Sequence, residues 1–391
     1  MSAVAAAAPV TFAVCSTASI AKDKAIPALL AVAGARLTAV SSRSKDRAQA
    51  FADAQAPGAG VKGMTHEEVL VEADADVLYI PLPSGVRNAF MCKALESGKH
   101  VYSEKPHSGT VAEFKQVLDL AAARGRQWMD GTMWYHSVRT KSMEEALQKL
   151  GPVRRVSASF TWGNGLVDQA WIDGGNGRTD PTREPFGMLG DSGHYPISAV
   201  AWAFGWELPV KVQACHYKLN NVGAVITCEA FLWFKDGGRA VIDTTCEGPH
   251  RSQFEVMCEM GVLKVDDLVG GQGRSGNFAA YESPFVGSST YVVGDHMGKD
   301  TTVEVEACDH ENCLVQGFVE SVQQIRAGKP PNPEWSRRAL VTHTIMCAIF
   351  ESCMQEGAPV ELIAGGSFRI GGETFPDVPT RDWWAAAAAE R

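Results

Sequence analysis

The stretch FAVCSTASIA, residues 12–21, carries residue types suited to holding a polyphosphate. An apolar run ends at Cys15, and Ser16, Thr17, Ala18, Ser19 and Ile20 follow before a helix-forming segment. This is the layout of a strand entering a G-x-G-x-x-[GA] turn, whose backbone N–H groups and helix N-terminus receive a pyrophosphate. Ser16 and Ala18 stand where the first two glycines would fall. Ala18 adds one methyl group at the point of closest approach, and Ser16 exchanges turn freedom for a hydroxyl donor. Neither change removes a backbone donor, so residues 16–20 are expected to hold a dinucleotide. At the end of the next apolar run, AVSSRSK (39–45), Ser42 and Arg43 replace the carboxylate that would hold the ribose hydroxyls of NAD. Serine and arginine suit a 2′-phosphate, which a carboxylate would repel, so the expected cofactor is NADP(H).

The elements that must position these residues alternate strand and helix through the first third of the chain. VTFAV, RLTAVSS, ADVLYIPLP, KHVYSEKP and RQWMDGT read as strands, separated by helical segments such as KDRAQAFADA and VAEFKQVLDLAAARG. Nearly all-apolar strands with crossover helices indicate a parallel sheet covered on both faces, here a doubly wound (Rossmann) domain over residues 1–136. Beyond it the rhythm changes to longer alternating strands, with KDGG marking a hairpin. Residues 137–391 are therefore expected to form an α+β domain with a large, mostly antiparallel sheet. Two helices are expected to interrupt that sheet, YPISAVAWAFG and SRRALVTHTIMCAIFESCMQEG, and residues 163–187 read as a long loop.

Composition narrows the partners. The 391 residues are 45% hydrophobic and 21% charged, with a net charge of −9 and no Lys/Arg cluster. That balance argues against nucleic acid or an anionic membrane surface as partner. The apolar runs fall short of the roughly 18–20 residues a membrane span needs. The short Ala-rich start leads straight into a strand, and the 10 cysteines are scattered, several within apolar segments. A cytoplasmic protein with reduced thiols is expected. CDHENC (308–313) has no second ligand pair beside it, so no metal is expected there or elsewhere.

Four further motifs, YIPLP (79–83), GKHVYSEKP (98–106), MDGTMWYH (129–136) and GMLGDSGHYP (187–196), stand in one order. With Arg178 and Pro181 ahead of the last, they resemble the glucose–fructose oxidoreductase / inositol dehydrogenase (Gfo/Idh/MocA) family. The likeness is strongest to its NADP-dependent D-xylose and trans-dihydrodiol dehydrogenase branch, and to uncharacterised plant oxidoreductases in it. The resemblance implies an enzyme, an NADP-dependent dehydrogenase or reductase, and a homodimer formed through the open face of the second sheet. It places Lys105 between nicotinamide ribose and substrate hydroxyl, makes Tyr195 the acid–base residue and sets Asp191 beside them. Pro81, Leu82, Arg87 and Glu104 fall at the cofactor edge, Arg87 where relatives carry a histidine. Trp134, Tyr135, His136, Trp162, Arg178 and His194 fall on the substrate side, with Tyr135 where relatives of sugar-like substrate often carry an arginine.

The chemistry agrees with that placement. Moving a hydride between nicotinamide and a carbinol carbon requires a proton to move at the oxygen. A tyrosine with a pKa of about 10 does this at neutral pH only when a cation such as Lys105 favours its phenolate. Asp191 and Tyr195 share one face if the segment is helical, which Pro196 permits only near a helix start or with a kink. The implied substrate is a small sugar, polyol or cyclic diol. Two other readings stay open: a non-catalytic NADP-sensing regulator, and a reductase of an aromatic or pigment substrate received by Trp162, Trp171, Phe186 and Tyr135. Trp383 and Trp384 in the tail are candidates for docking on a neighbour.

Overall fold

The structure, a computed structural model, describes residues 8–163, 167–269, 289–362, 367–370 and 373–376. Trp383 and Trp384 lie outside them. The first domain is built on strands β1 (Val10–Val14), β2 (Ala35–Ser42), β3 (Lys62–Thr65), β4 (Val77–Ile80), β5 (His100–Ser103) and β6 (Trp128–Asp130). They pair in parallel in the order β3-β2-β1-β4-β5-β6, the doubly wound arrangement expected. Strand β1 is buried throughout, as a strand covered on both faces must be. Its helices are α1 (Ile26–Ala31), α2 (Lys45–Gln55), α3 (His66–Val71), α4 (Ser84–Glu96) and α5 (Val111–Ala123). α1 continues a π-helical turn at Ala21–Ala25, with Pro27 in its first turn, where a missing N–H costs nothing. Thr65 and Thr110 close capping boxes on α3 and α5, satisfying amide donors that a helix start leaves orphaned.

A 3-10 turn (Met133–His136) and α6 (Val138–Lys149) lead into the second domain. Its sheet starts with β7 (Val153–Gly163), followed by the short helix α7 (Gly187–Asp191) and by α8 (His194–Ala203). Strands β8 (Lys211–Leu219), β9 (Val225–Trp233), β10 (Arg239–Gly248), β11 (Phe254–Cys258), β12 (Gly261–Val265), β13 (Ser289–Asp295), β14 (Asp300–Val305) and β15 (Val360–Glu361) complete it. The order is β14-β13-β12-β11-β7-β10-β9-β8-β15, antiparallel except for the parallel pair β7–β10. Alternate residues of β10 (Ala240, Ile242, Thr244, Cys246) are buried on the face that α8 covers.

Two late helices, α9 (His310–Arg326) and α10 (Pro333–Met354), close the molecule. α10 matches expectation, whereas α9 is absent from the elements read in the sequence. Its residues Leu314, Val315, Phe318, Val319 and Val322 are buried with Phe12, Val14 and Tyr102 in the core of the first domain. Burying the Phe318 ring, 6.0 Å from Phe12, contributes about 2 kcal/mol to this docking. The first domain is thus finished by chain from beyond residue 136, which a linear boundary does not capture. CDHENC opens this helix: Asp309 Oδ1 accepts from the Glu311 and Asn312 amides as its N-cap.

Candidate active site

The carboxyl ends of β1, β2, β4 and β5 share one edge of the parallel sheet, so loop residues far apart in sequence meet there. Ser16–Ile20 bridge β1 and the first helical turn; Ser16, Thr17, Ala18 and Ile20 are partly exposed and Ser19 is exposed. Ser42 differs from expectation. Its hydroxyl donates to Ser44 O at 2.6 Å and accepts from the Ser44 amide at 3.1 Å, so it shapes the turn into α2. Arg43 is exposed at the same edge.

Arg87 also differs. It is buried and donates to the carbonyls of Leu82, Glu104 and Pro106, with Nε and Nη2 both on Leu82. Three carbonyls from two strand ends are gathered on one guanidinium, a task suited to its rigid fork of donors. Arg87 therefore fixes the backbone at Pro81, Leu82 and Glu104 from behind rather than presenting itself to a ligand. The Glu104 carboxylate accepts from Tyr79 Oη at 2.7 Å, and burial raises its pKa against the pull of Tyr79, Lys105 and Arg87. A Cβ at Gly131 would lie 2.8 Å from Glu104 Oε1, so a larger residue there would displace this carboxylate.

Lys105, at the end of β5, crosses to the second domain. Its ammonium donates to Asp191 Oδ1 at 2.9 Å and Asp191 O at 2.8 Å, and lies 4.8 Å from the centroid of the Tyr195 ring. Arg178 Nε holds the other carboxylate oxygen of Asp191 at 3.0 Å. Burial works against charge on Asp191, but Lys105 and Arg178 outweigh it and hold its pKa well below the usual carboxylate range. Burial likewise disfavours the Lys105 ammonium, yet Asp191 and Tyr195 raise its pKa above the ordinary lysine value. For Tyr195, burial dominates over Lys105 and pushes the phenol up to about 12. The expected activation of phenolate by Lys105 is thus not the resting condition: Tyr195 is a neutral phenol at pH 7. Asp191 ends α7 and Tyr195 lies in the first turn of α8, so Pro196 meets the condition set by sequence.

The residues expected on the substrate side divide. Trp162 is half-buried, and its Nε1 donates to Ser192 Oγ at 2.8 Å beside Trp171. Trp134, Tyr135 and His136 are buried in the domain junction, not in a cleft. Trp134 Nε1 donates to Ser198 Oγ, Tyr135 packs edge-on against Trp206, and His136 stacks on Trp335 at 4.4 Å. Burial drops the His136 pKa to about 3. Phe186 is likewise enclosed by His343 and Phe350. Hydrophobic burial of these aromatics outcompetes exposure to a ligand.

His194 also points inward. Its Nε2 lies 2.8 Å from Thr132 Oγ1, which donates to Asp130 Oδ2 at 2.8 Å, while His107 Nε2 reaches the same oxygen at 3.3 Å. Among the described residues His107, Asp130 and His194 are the group whose ligand atoms approach within 4.8 Å. His107 follows β5, Asp130 ends β6 and His194 starts α8, so no local spacing announces the group. The Thr132 hydroxyl already joins His194 to Asp130, so the group is read as an interdomain hydrogen-bond bridge.

Sequence reasoning missed Ser84 and Glu184. Ser84 Oγ, at the start of α4, bonds Glu184 Oε2 at 2.8 Å and Arg183 O at 3.0 Å, tying the long loop to the cofactor edge. Glu184 is 8% exposed, and burial raises its pKa to about 7 against Ser84 and Arg87. Nothing in the local sequence announces a contact between residues 100 apart.

A doubly wound domain whose lysine reaches an Asp–Tyr pair in a second, sheet-based domain defines a dinucleotide-dependent oxidoreductase. Sequence profiles agree: residues 10–132 match the oxidoreductase family with NAD-binding Rossmann fold, GFO/IDH/MocA, and residues 143–264 match the GFO/IDH/MocA C-terminal domain. The chain belongs to this family. A dTDP-3,4-didehydro-2,6-dideoxy-alpha-D-glucose 3-reductase of Saccharopolyspora spinosa is 32% identical over 66% of this chain and 75% of its own. D-xylose 1-dehydrogenase (NADP(+)) 2 of Haloferax volcanii is 27% identical over 90% of this chain and 99% of its own. The fold matches a 3-ketoreductase from Actinomadura kijaniata, solved with NADP and TDP-benzene, with a TM-score of 0.72 and 24% identity over 87% and 97% of the chains.

Proposed function

We propose that this protein is an NADP(H)-dependent oxidoreductase that interconverts CH–OH and C=O on a small sugar, polyol or cyclic diol. The observation that carries the reading is the Lys105 ammonium, held by Asp191 over the Tyr195 ring. The relatives named above, a xylose dehydrogenase and a keto-sugar reductase, support a sugar-like substrate.

Bound at the carboxyl ends of β1, β2, β4 and β5, the nicotinamide cofactor supplies or accepts the hydride. Every other part of the work falls to this chain. Asp191 and Arg178 fix Lys105, which places positive charge beside the oxygen where negative charge develops. Tyr195, protonated at neutral pH, donates its proton to that oxygen as the carbonyl carbon becomes tetrahedral. The phenolate left behind faces Lys105 and regains a proton from solvent. Reduction therefore matches the resting protonation, and oxidation runs the same steps backward.

The regulator reading is disfavoured by the intact Lys105–Asp191–Tyr195 arrangement, and the pigment reading by the burial of Tyr135 and Phe186. We also propose a cytoplasmic homodimer, the dimer being what the family resemblance implies. The test is NADPH oxidation with keto-sugars and keto-polyols by wild type and Tyr195→Phe. Turnover lost by about 10²–10⁴-fold in the variant, with NADPH still bound, supports the assignment; equal rates overturn it.

A further inference from the structure

Strands β2 and β3 run in parallel with Ser42 opposite Thr65, so the next residues, Arg43 and His66, leave the sheet edge side by side. Ser42 spends its hydroxyl on Ser44, which removes the small donor expected for a 2′-phosphate. His66, partly exposed, stands at the same edge. The capping box between Thr65 and Glu68 fixes the backbone on which it sits. Its ring stands edge-on to Phe90 at 5.8 Å, which limits its swing.

One nitrogen of the ring is also tethered. His66 Nδ1 lies 3.0 Å from Ser41 Oγ, and the Ser41 hydroxyl in turn pairs with the Cys15 thiol at the end of β1. Burial raises that thiol to about 12, so it is S–H at any physiological pH. With Nδ1 tied to Ser41, Nε2 is the ring nitrogen left for a ligand, and it carries the N–H whenever Nδ1 accepts from the hydroxyl. Burial and Arg43 lower the imidazole pKa against the pull of Glu67, which favours the neutral ring.

We propose that His66 is a second 2′-phosphate contact beside Arg43, and that the two together set selectivity for NADP(H) over NAD(H). The inference rests on the NADP(H) reading above and names a residue that reading did not include. An N–H donor to a phosphate dianion is a charge-assisted bond, present with NADPH and absent with NADH.

The test is titration of the full chain with NADPH and with NADH, following nicotinamide fluorescence. His66→Leu is expected to weaken NADPH by about tenfold or more while leaving NADH within about twofold. His66→Gln, which keeps a side-chain N–H, is expected to recover most of the loss. Arg43→Ala with His66→Leu is expected to abolish discrimination. A His66→Leu protein with the wild-type NADPH/NADH ratio, or one weakened equally toward both, overturns the proposal. Wild type that binds both cofactors equally overturns the NADP(H) preference itself, a result read before any variant is made.

Discussion

The Lys105 ammonium lies over the face of the Tyr195 ring, 4.8 Å from its centroid, while its hydrogen bonds go to Asp191. The cation therefore serves the tyrosine through space, and Asp191 decides where it stands. Cation–π contacts of this kind contribute about 1–2 kcal/mol when desolvated, too little to overcome the burial that keeps Tyr195 protonated.

Asp191→Asn removes the charge that raises both the Lys105 and Tyr195 pKa values. The alkaline limb of the reductive kcat/KM profile is expected to move to lower pH, with kcat reduced by at least about tenfold. A pH–rate profile across the alkaline range checks this, and an unmoved limb contradicts it.

Asp191 also carries a stability signature. Its folded pKa is depressed, so its contribution is present above the unfolded value of about 4 and lost as pH falls toward the folded one. Urea midpoints of wild type should fall between about pH 5 and 3 more steeply than those of Asp191→Asn.

Glu184 has the opposite sign. Its folded pKa of about 7 exceeds the ordinary carboxylate value, so the folded state binds the extra proton. Its contribution is full below about pH 4.5 and is lost as pH rises through about 7. Glu184→Gln, which keeps an acceptor for Ser84, should therefore gain stability relative to wild type at pH 8 and little at pH 5. Thermal melts at the two pH values distinguish this from a pH-independent change.

Arg87 gathers three carbonyls, so Arg87→Met is expected to cost about 3 kcal/mol or more by leaving those acceptors unpaired in the interior. Arg87→Lys should recover little, because one ammonium lacks the planar fork. Chemical denaturation of the three proteins measures it, and full rescue by lysine refutes the geometric argument.

Local pattern was enough for much of this molecule. Nearly all-apolar strands such as Val10–Val14 must be buried on both faces, so the parallel domain follows from the one-dimensional sequence. Alternation and KDGG likewise announced the β9–β10 hairpin, and the spacing around Pro196 anticipated a helix start at His194. The family resemblance carried by the motifs implied Lys105, Asp191 and Tyr195 at one site, and the fold brings them together.

Tertiary structure decided what no local pattern can. Whether a polar or aromatic side chain meets solvent or a neighbour depends on elements far away in the chain. Ser42 turned to Ser44, Arg87 to three carbonyls, and Trp134, Tyr135 and His136 to the domain junction. Helix α9 carries an apolar stripe whose partner, the β1 face, lies about 300 residues earlier. The protonation of Tyr195 was decided the same way. Its sequence neighbours supply an aspartate and its fold supplies a lysine, but the burial that outweighs both belongs to the packed whole.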